Sequence, residues 1–302
     1  MRKKNKIIKS SFDFSSLILI IINIILNSIS LFIVLLIPAS YVTNNGYLII
    51  LLSFGIPLFL TLMGLSSAFQ NLIAKITITN QRGIYREEKE FLYPLIKNVI
   101  HKINNNYNLK LDIADFNFKV FNDETINAFA LGSRNLYVSE GFLYNNLLTS
   151  EEREAVLAHE FGHLIKKDSV FMSSVLSCNF TIRILGYVCT SIIALNKKPK
   201  MRTKGSGGIG ILLVLAFYII FVKILSDGIF KLILMFKSRK VEYRCDAFSA
   251  SLGYRENLRS FLKKIEKLEI TSNINLIKQL YSTHPKIPDR ILALENYDNY
   301  YY

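Results

Sequence analysis

From Leu17 to Pro38 the chain runs for 22 residues without a charged side chain, and from Tyr47 to Phe69 it does so again. No other feature restricts the fold as strongly. A hydrocarbon core about 30 Å thick is crossed by about 20 apolar residues in a helix. Inside it every backbone N–H and C=O must be satisfied within the protein, which leaves only helices or closed barrels. Two such runs joined by residues 39–46 read as a helical hairpin, softened only by Asn23, Asn27, Ser28 and Ser30 in the first run. Arg2, Lys3, Lys4, Lys6 and Lys9 precede it and the link carries no charge, so the N-terminus is expected in the cytoplasm and the link outside. A cleaved signal peptide ending near Pro38-Ala39-Ser40 is the alternative. The run is too long for a typical h-region, and a second span follows closely.

Composition agrees with a membrane protein. The chain has 302 residues, 51% hydrophobic, with a net charge of +14 and no Trp, and its pI is near 9.5. That is too apolar and too basic for an average soluble enzyme. Two further apolar stretches, Val170 to Leu195 and Ile209 to Phe236, are interrupted by Arg183 and by Lys223, Asp227 and Lys231. Charges within spans face a bundle interior or a wet cavity, and Lys223 and Asp227 have the i,i+4 spacing of a pair. These stretches are expected to be the third and fourth spans, the alternative being two buried helices of a soluble core. Between them, Lys197, Lys198, Lys200, Arg202 and Lys204 would favour the cytoplasm, yet four full spans put that loop outside. Either the earlier spans dominate orientation or the second pair is a shallow hairpin. The basic charge comes with no RNP, zinc-finger or helix-turn-helix pattern, so no nucleic-acid partner is expected. Cys178, Cys189 and Cys245 have no paired spacing and give no disulfide framework.

Chemistry enters at His159-Glu160-Phe161-Gly162-His163. In a helix, residues at i and i+4 lie roughly 40° apart around the axis and about 6 Å apart along it, so two imidazoles can share one metal. Glu160 lies about 100° around from His159 and is placed to work beside the metal as a general base on a zinc-activated water. Thr149 and Glu152 have the form of a capping box, and Glu151, Glu152 and Glu154 crowd the end where the helix dipole favours negative charge. A largely buried helix is therefore expected from about Ser150. The bland alternative is an amphipathic helix whose histidines are surface residues.

Catalytic zinc takes three protein ligands and keeps a fourth position open. Glu242 is the best candidate for the third, in a helix-compatible segment where Asp246 falls at i+4 on the same face. A carboxylate at that position can accept the free ring N–H of a ligating histidine. On spacing alone, a solvated charged helix is equally open.

Taken together, these landmarks resemble the HtpX-type membrane zinc endopeptidases and, more distantly, the CAAX prenyl endopeptidases. The likeness rests on the two N-terminal apolar runs, Asn127-Ala128-Phe129-Ala130-Leu131-Gly132, the segment Glu152 to His163, Glu242 with Asp246, and Ser282-Thr283-His284-Pro285 followed by Arg290. It implies Glu242 as third zinc ligand with Asp246 supporting a histidine. It also implies His284 and Arg290 at the active site, stabilising the oxyanion or the substrate. Leu131 stands where many relatives have a small polar residue, the C-terminus is rich in tyrosine and the basic loop is unusual.

Asn117 to Phe121 alternates as a strand does, and Ile126 to Ala130 and Asn135 to Val138 flank Gly132-Ser133 as an expected hairpin. A free strand edge can hold an extended peptide by main-chain hydrogen bonds. The resemblance implies Asn127, Ala128, Phe129 and Ala130 as that edge; an ordinary structural hairpin is the alternative.

The fold class expected is mainly α, a multi-pass helical membrane protein carrying a zincin-like (gluzincin) α+β peptidase domain with a small sheet. Its expected parts are a basic cytoplasmic tail (1–14), a transmembrane hairpin (15–70), a first peptidase part (71–168), a second hydrophobic hairpin (169–236) and a second peptidase part (237–302). The expected activity is zinc-dependent endoproteolysis with one Zn2+ per subunit. Only about six residues separate His163 from the third apolar stretch, a reach on the order of 10 Å in a helix. The bilayer is therefore an expected partner, membrane or misfolded membrane-associated proteins are the expected substrates, and the cell membrane, with the catalytic domain facing the cytoplasm, is the expected location. A membrane scaffold with a non-catalytic zinc is the alternative, although structural sites favour four protein ligands and would leave Glu160 idle. A transporter reading lacks internal repeats.

Overall fold

In a computed structural model the described residues are 14–42, 46–78, 80–180, 230–272 and 285–297. The end of the third apolar stretch, most of the fourth, the basic loop between them and His284 lie outside these residues. The chain divides into two units, one formed by Phe14–Ser66 with Phe171–Leu234, the other holding Ser67–Val170 and the described residues from Met235 onward.

The first unit contains α1 (Phe14–Val42) and α2 (Gly46–Leu65), which pack on one another. Both are long and apolar enough to cross a membrane, over Ser15–Phe32 and Gly46–Leu65. Their polarity is inverted relative to a water-soluble bundle. Asn23, Asn27 and Ser53 are buried, while Ile21, Ile25, Leu51, Phe59 and Leu62 are exposed. Inward hydroxyls are satisfied along their own helix, Ser53 Oγ donating to Ile49 O at 2.7 Å and Thr61 Oγ1 to Pro57 O at 2.8 Å. Asparagines tie α1 to the helix of residues 168–180. Asn27 Nδ2 donates to Asn179 Oδ1 at 3.0 Å, and Asn23 Nδ2 to Val175 O at 3.3 Å. Small and amide side chains inside, with aliphatic side chains outside, suit helix association in lipid.

The second unit opens with α3 (Ser67–Thr77) and builds a four-stranded mixed sheet from β1 (Gln81–Arg82), β2 (Asn117–Phe121), β3 (Ala128–Leu131) and β4 (Asn135–Ser139), in the order β1-β2-β4-β3. β1–β2 and β3–β4 are antiparallel, and β2–β4 is parallel with Val120 opposite Val138. All five β4 residues are buried, as a central strand requires. The β3–β4 turn passes through Gly132 at φ 73, the left-handed region where glycine has no steric cost.

α4 (Arg86–Tyr107) carries Leu92, Ile96, Val99, Ile100 and Ile103 at helical spacing, a buried stripe that packs on α6 (Ser150–Lys166). The Thr149–Glu152 capping box starts α6. Between β4 and α6 the short α5 (Glu140–Tyr144) is closed by Arg153, whose buried guanidinium donates to the carbonyls of Phe142, Leu143, Asn145 and Leu148. Those of Phe142 and Leu143 are carbonyls that a helix end leaves without intrahelical donors. α6 stops at Lys167, which takes φ 56 and donates its N–H to His163 O and Leu164 O.

α7 (Phe230–Ser249), a π-helical turn at Ala250–Tyr254, and α8 (Arg255–Ser272) complete the wall, and α9 (Ile287–Glu295) packs on α8. The approach of α7 to α6 is set by Gly162. A Cβ there would lie 3.2 Å from Cys245 Sγ and 3.3 Å from the Phe248 ring. With that room, Ser249 Oγ reaches Ala155 O at 2.8 Å. The core therefore forms around α6, the helix carrying the histidine motif, and that burial fixes the motif's side chains.

Candidate metal centre

His159 and His163 project from the same face of α6, with ring centroids 5.0 Å apart and planes at 72°. Their Nε2 atoms are 3.2 Å apart. α7 brings Glu242 opposite them, Oε2 at 3.4 Å from His159 Nε2 and Oε1 at 3.4 Å from His163 Nε2. For metal–donor bonds of about 2.0–2.1 Å, tetrahedral geometry puts neighbouring donors about 3.3 Å apart. The two nitrogens, and each nitrogen with the Glu242 oxygen facing it, thus have the spacing of a zinc tetrahedron's edge.

The surroundings are consistent with a dication. His159 Nδ1 lies 2.8 Å from Asp246 Oδ1, and Arg290 grips that carboxylate with Nε at 2.8 Å and Nη2 at 2.6 Å. Behind the other ring, His163 Nδ1 is 3.1 Å from Asp168 Oδ2, to which Arg244 also donates. Counting Glu160, the described groups around the two imidazoles include four carboxylates and two guanidiniums. With neutral rings this leaves two negative charges, which a divalent cation would balance. Burial by itself would lower the His159 pKa, but the Asp246 and Glu242 carboxylates outweigh it and push it up to about 10. His163 moves in the same direction: burial opposes the shift, and Cys245, Asp168 and Glu242 drive it. Protons and a metal ion compete for such a site, so metal binding would release protons.

Glu160, 8% exposed, keeps a carboxylate oxygen within 4.8 Å of both histidine rings' ligand nitrogens, and its Oε2 accepts the Ala130 N–H at 2.8 Å. β3 is an edge strand. Because Ser139 N–H donates to Asn127 O, the strand alternation turns Asn127 and Phe129 towards β4 and the peptide groups of Ala128 and Ala130 outward. The Ala130 carbonyl is bound by Ser169 Oγ at 2.8 Å. The Phe129 ring stacks on Tyr137 at 5.2 Å.

The sequence-predicted residues His159, Glu160, His163, Glu242, Asp246 and Arg290 are brought to one place, with Asn127 to Ala130 reached through Glu160. His284 lies outside the described residues. Arg290 is 6% exposed and sits behind His159 on Asp246, its Nη1 3.7 Å from Glu242 Oε2. Sequence reasoning missed Asp168 and Arg244. Asp168 is five residues beyond His163, a spacing no helical argument selects, and only the left-handed Lys167 folds it back beside the ring.

The profile of Peptidase family M48 matches residues 93–298, more than two thirds of the chain. Protease HtpX of Alcanivorax borkumensis is 33% identical over 204 residues, 58% of this chain and 63% of that protein. Protease HtpX of Haemophilus influenzae (strain PittGG) is 30% identical over 192 residues, 59% of this chain and 65% of that protein. The matches thus span a little less than two thirds of the length of these curated relatives. The crystal structure of S. mikatae Ste24p aligns with a TM-score of 0.48 at 21% identity, covering 88% of this chain and 61% of that one. The histidine helix, the facing carboxylate and the sheet edge all fall inside the matched segment, and the chain belongs to peptidase family M48, with HtpX-type proteases among its relatives.

Proposed function

We propose that this chain is a zinc-dependent integral-membrane endopeptidase in which His159, His163 and Glu242 hold the metal and Glu160 is the general base. The observation that carries the reading is the pair of imidazole nitrogens 3.2 Å apart, each 3.4 Å from one oxygen of Glu242, with Glu160 beside them and bound to the Ala130 N–H. When bound, zinc supplies Lewis acidity that polarises a carbonyl and lowers the pKa of water from 15.7 towards about 7. The chain's own residues do the rest. Glu160 takes the proton of the attacking water on the oxygen that Ala130 does not hold, then returns it to the leaving amine. The Ala128 peptide group, facing outward from β3, offers an extended substrate one main-chain donor and one acceptor. Asp246, held by Arg290, orients His159.

The wider reading is that the substrates are polypeptides presented at the bilayer, membrane or misfolded membrane-associated proteins. On it, the protein is multi-pass in the cell membrane and its peptidase unit faces the cytoplasm. The inverted polarity of α1 and α2 supports membrane residence, and the N-terminal lysines support the orientation.

The test is metal analysis with cleavage of casein or a membrane protein, on detergent-solubilised wild type and Glu160→Gln, with and without chelator. Both should carry about one zinc per chain. Only the wild type should cleave, and chelation should stop it. Turnover by metal-loaded Glu160→Gln would refute the assignment of the base, and a wild type without stoichiometric zinc would refute the metal centre.

A further inference from the structure

Each imidazole of the pair has its own support. His159 is backed through Nδ1 by Asp246, which Arg290 grips; His163 is backed through Nδ1 by Asp168, which Arg244 grips. The two arrangements use different elements. Asp246 and Arg290 come from α7 and α9, while Asp168 comes from the junction just beyond α6 and Arg244 from α7. We infer that Asp168, held by Arg244, is the positioning residue for His163 as a metal ligand, an inference that rests on the zinc reading above.

The physical need is specific. An imidazole with nothing on Nδ1 can rotate about its Cβ–Cγ bond and can adopt either tautomer. A carboxylate on Nδ1 fixes the proton there, turns the Nε2 lone pair towards the ion and raises its basicity. Had α6 continued as a regular helix, residue 168 would lie roughly 140° around the axis from His163, on a different face. The left-handed conformation of Lys167, at φ 56, breaks that progression and returns the carboxylate to 3.1 Å from the ring. A solvated ion pair between Asp168 and Arg244 would need neither the turn nor the ring. Asp168 is also only 17% exposed at its side chain, so its bonds to His163 and Arg244 are made largely out of water.

The experiment measures zinc affinity by chelator competition on the full-length, detergent-solubilised chain, comparing wild type, Asp168→Asn and Asp168→Ala. Thermal unfolding of each metal-free form and the visible spectrum of each cobalt-loaded form are recorded alongside. Asp168→Ala should weaken zinc binding by about 10- to 100-fold and Asp168→Asn by several-fold. The metal-free unfolding temperature should fall by roughly a few degrees, as loss of a largely buried ion pair requires, and the cobalt bands should shift. Zinc affinity within about twofold of wild type in Asp168→Ala would overturn the inference, as would cobalt bands unchanged from wild type. Should Asp168→Ala fail to accumulate, Asp168→Asn decides by the same two criteria. A wild type that takes up no zinc would instead overturn the metal reading itself, and this inference with it.

Discussion

Glu88 illustrates how one side chain can fasten several elements of this fold. Its carboxylate receives Arg82 through two nitrogens at 2.7 and 2.8 Å, the Tyr144 hydroxyl at 2.7 Å and the Tyr85 N–H at 2.7 Å, joining β1, the start of α4 and the end of α5. The Arg82 hydrogen bonds, helped by Tyr144 and Tyr85 against the effect of burial, pull its pKa down to about 2. A carboxyl depressed on folding adds stability above its unfolded pKa and loses it as pH falls towards the folded value. Glu88→Gln should therefore destabilise the peptidase unit by roughly 3 kcal/mol near neutrality. The gap to wild type should begin to close below about pH 4.5. Thermal unfolding at pH 7 and pH 4 checks this, and a gap unchanged between them would reject it. The same dependence on long-range partners explains which site residues were legible in the sequence. His159, Glu160 and His163 could be read from helical spacing because they share one helix; for Glu242 with Asp246 spacing left a solvated helix equally open, and the family resemblance singled them out. The support of His163 could not be read. Asp168 reaches the ring only through a backbone reversal at Lys167, and Arg244 reaches Asp168 only by tertiary packing.

Among elements, the decisive contact on the proposed zinc reading is that of α6 with α7, because one carries two of the proposed donors and the other the third. Gly162 leaves the gap that lets them meet. Gly162→Val would place methyl groups into Cys245 and Phe248, drive the helices apart and carry Glu242 away from the imidazoles. Overpacking of this kind costs about 1–3 kcal/mol in stability. Because zinc binding depends on the spacing of the two helices, zinc affinity should fall at least about tenfold. Chelator competition on the variant checks it; wild-type affinity in Gly162→Val would show that the approach of the helices does not set the site. Local signals foretold much of the secondary structure. The Thr149 cap placed the start of α6 at Ser150, and alternation located β2 and the β3–β4 hairpin to within two residues. Two-residue β1 has too little sequence to carry a pattern. The parallel β2–β4 pairing is a long-range choice that neither strand encodes by itself.

For the whole molecule, the defining feature is a second unit, matched by the M48 profile, whose sequence is interrupted by apolar segments, both ahead of α3 and between α6 and the later part of α7. A protease held at a bilayer meets anchored proteins at a raised effective concentration. One substrate made in a soluble and a membrane-tethered version should therefore be cleaved at least about tenfold faster when tethered in the same vesicle. Equal rates would count against membrane substrates. The two N-terminal apolar helices were plain from the absence of charge over Leu17 to Pro38 and Tyr47 to Phe69, since that property needs no tertiary information. The interrupted order of the chain also bears on its biosynthesis. His159 and His163 leave the ribosome about 80 residues ahead of Glu242, and the intervening apolar stretch must be made first. At roughly 5–20 residues per second, the donor set stays incomplete for several seconds of translation. On the proposed reading, a nascent chain thus has no competent centre with which to attack its neighbours or itself until its hydrophobic middle has been synthesised.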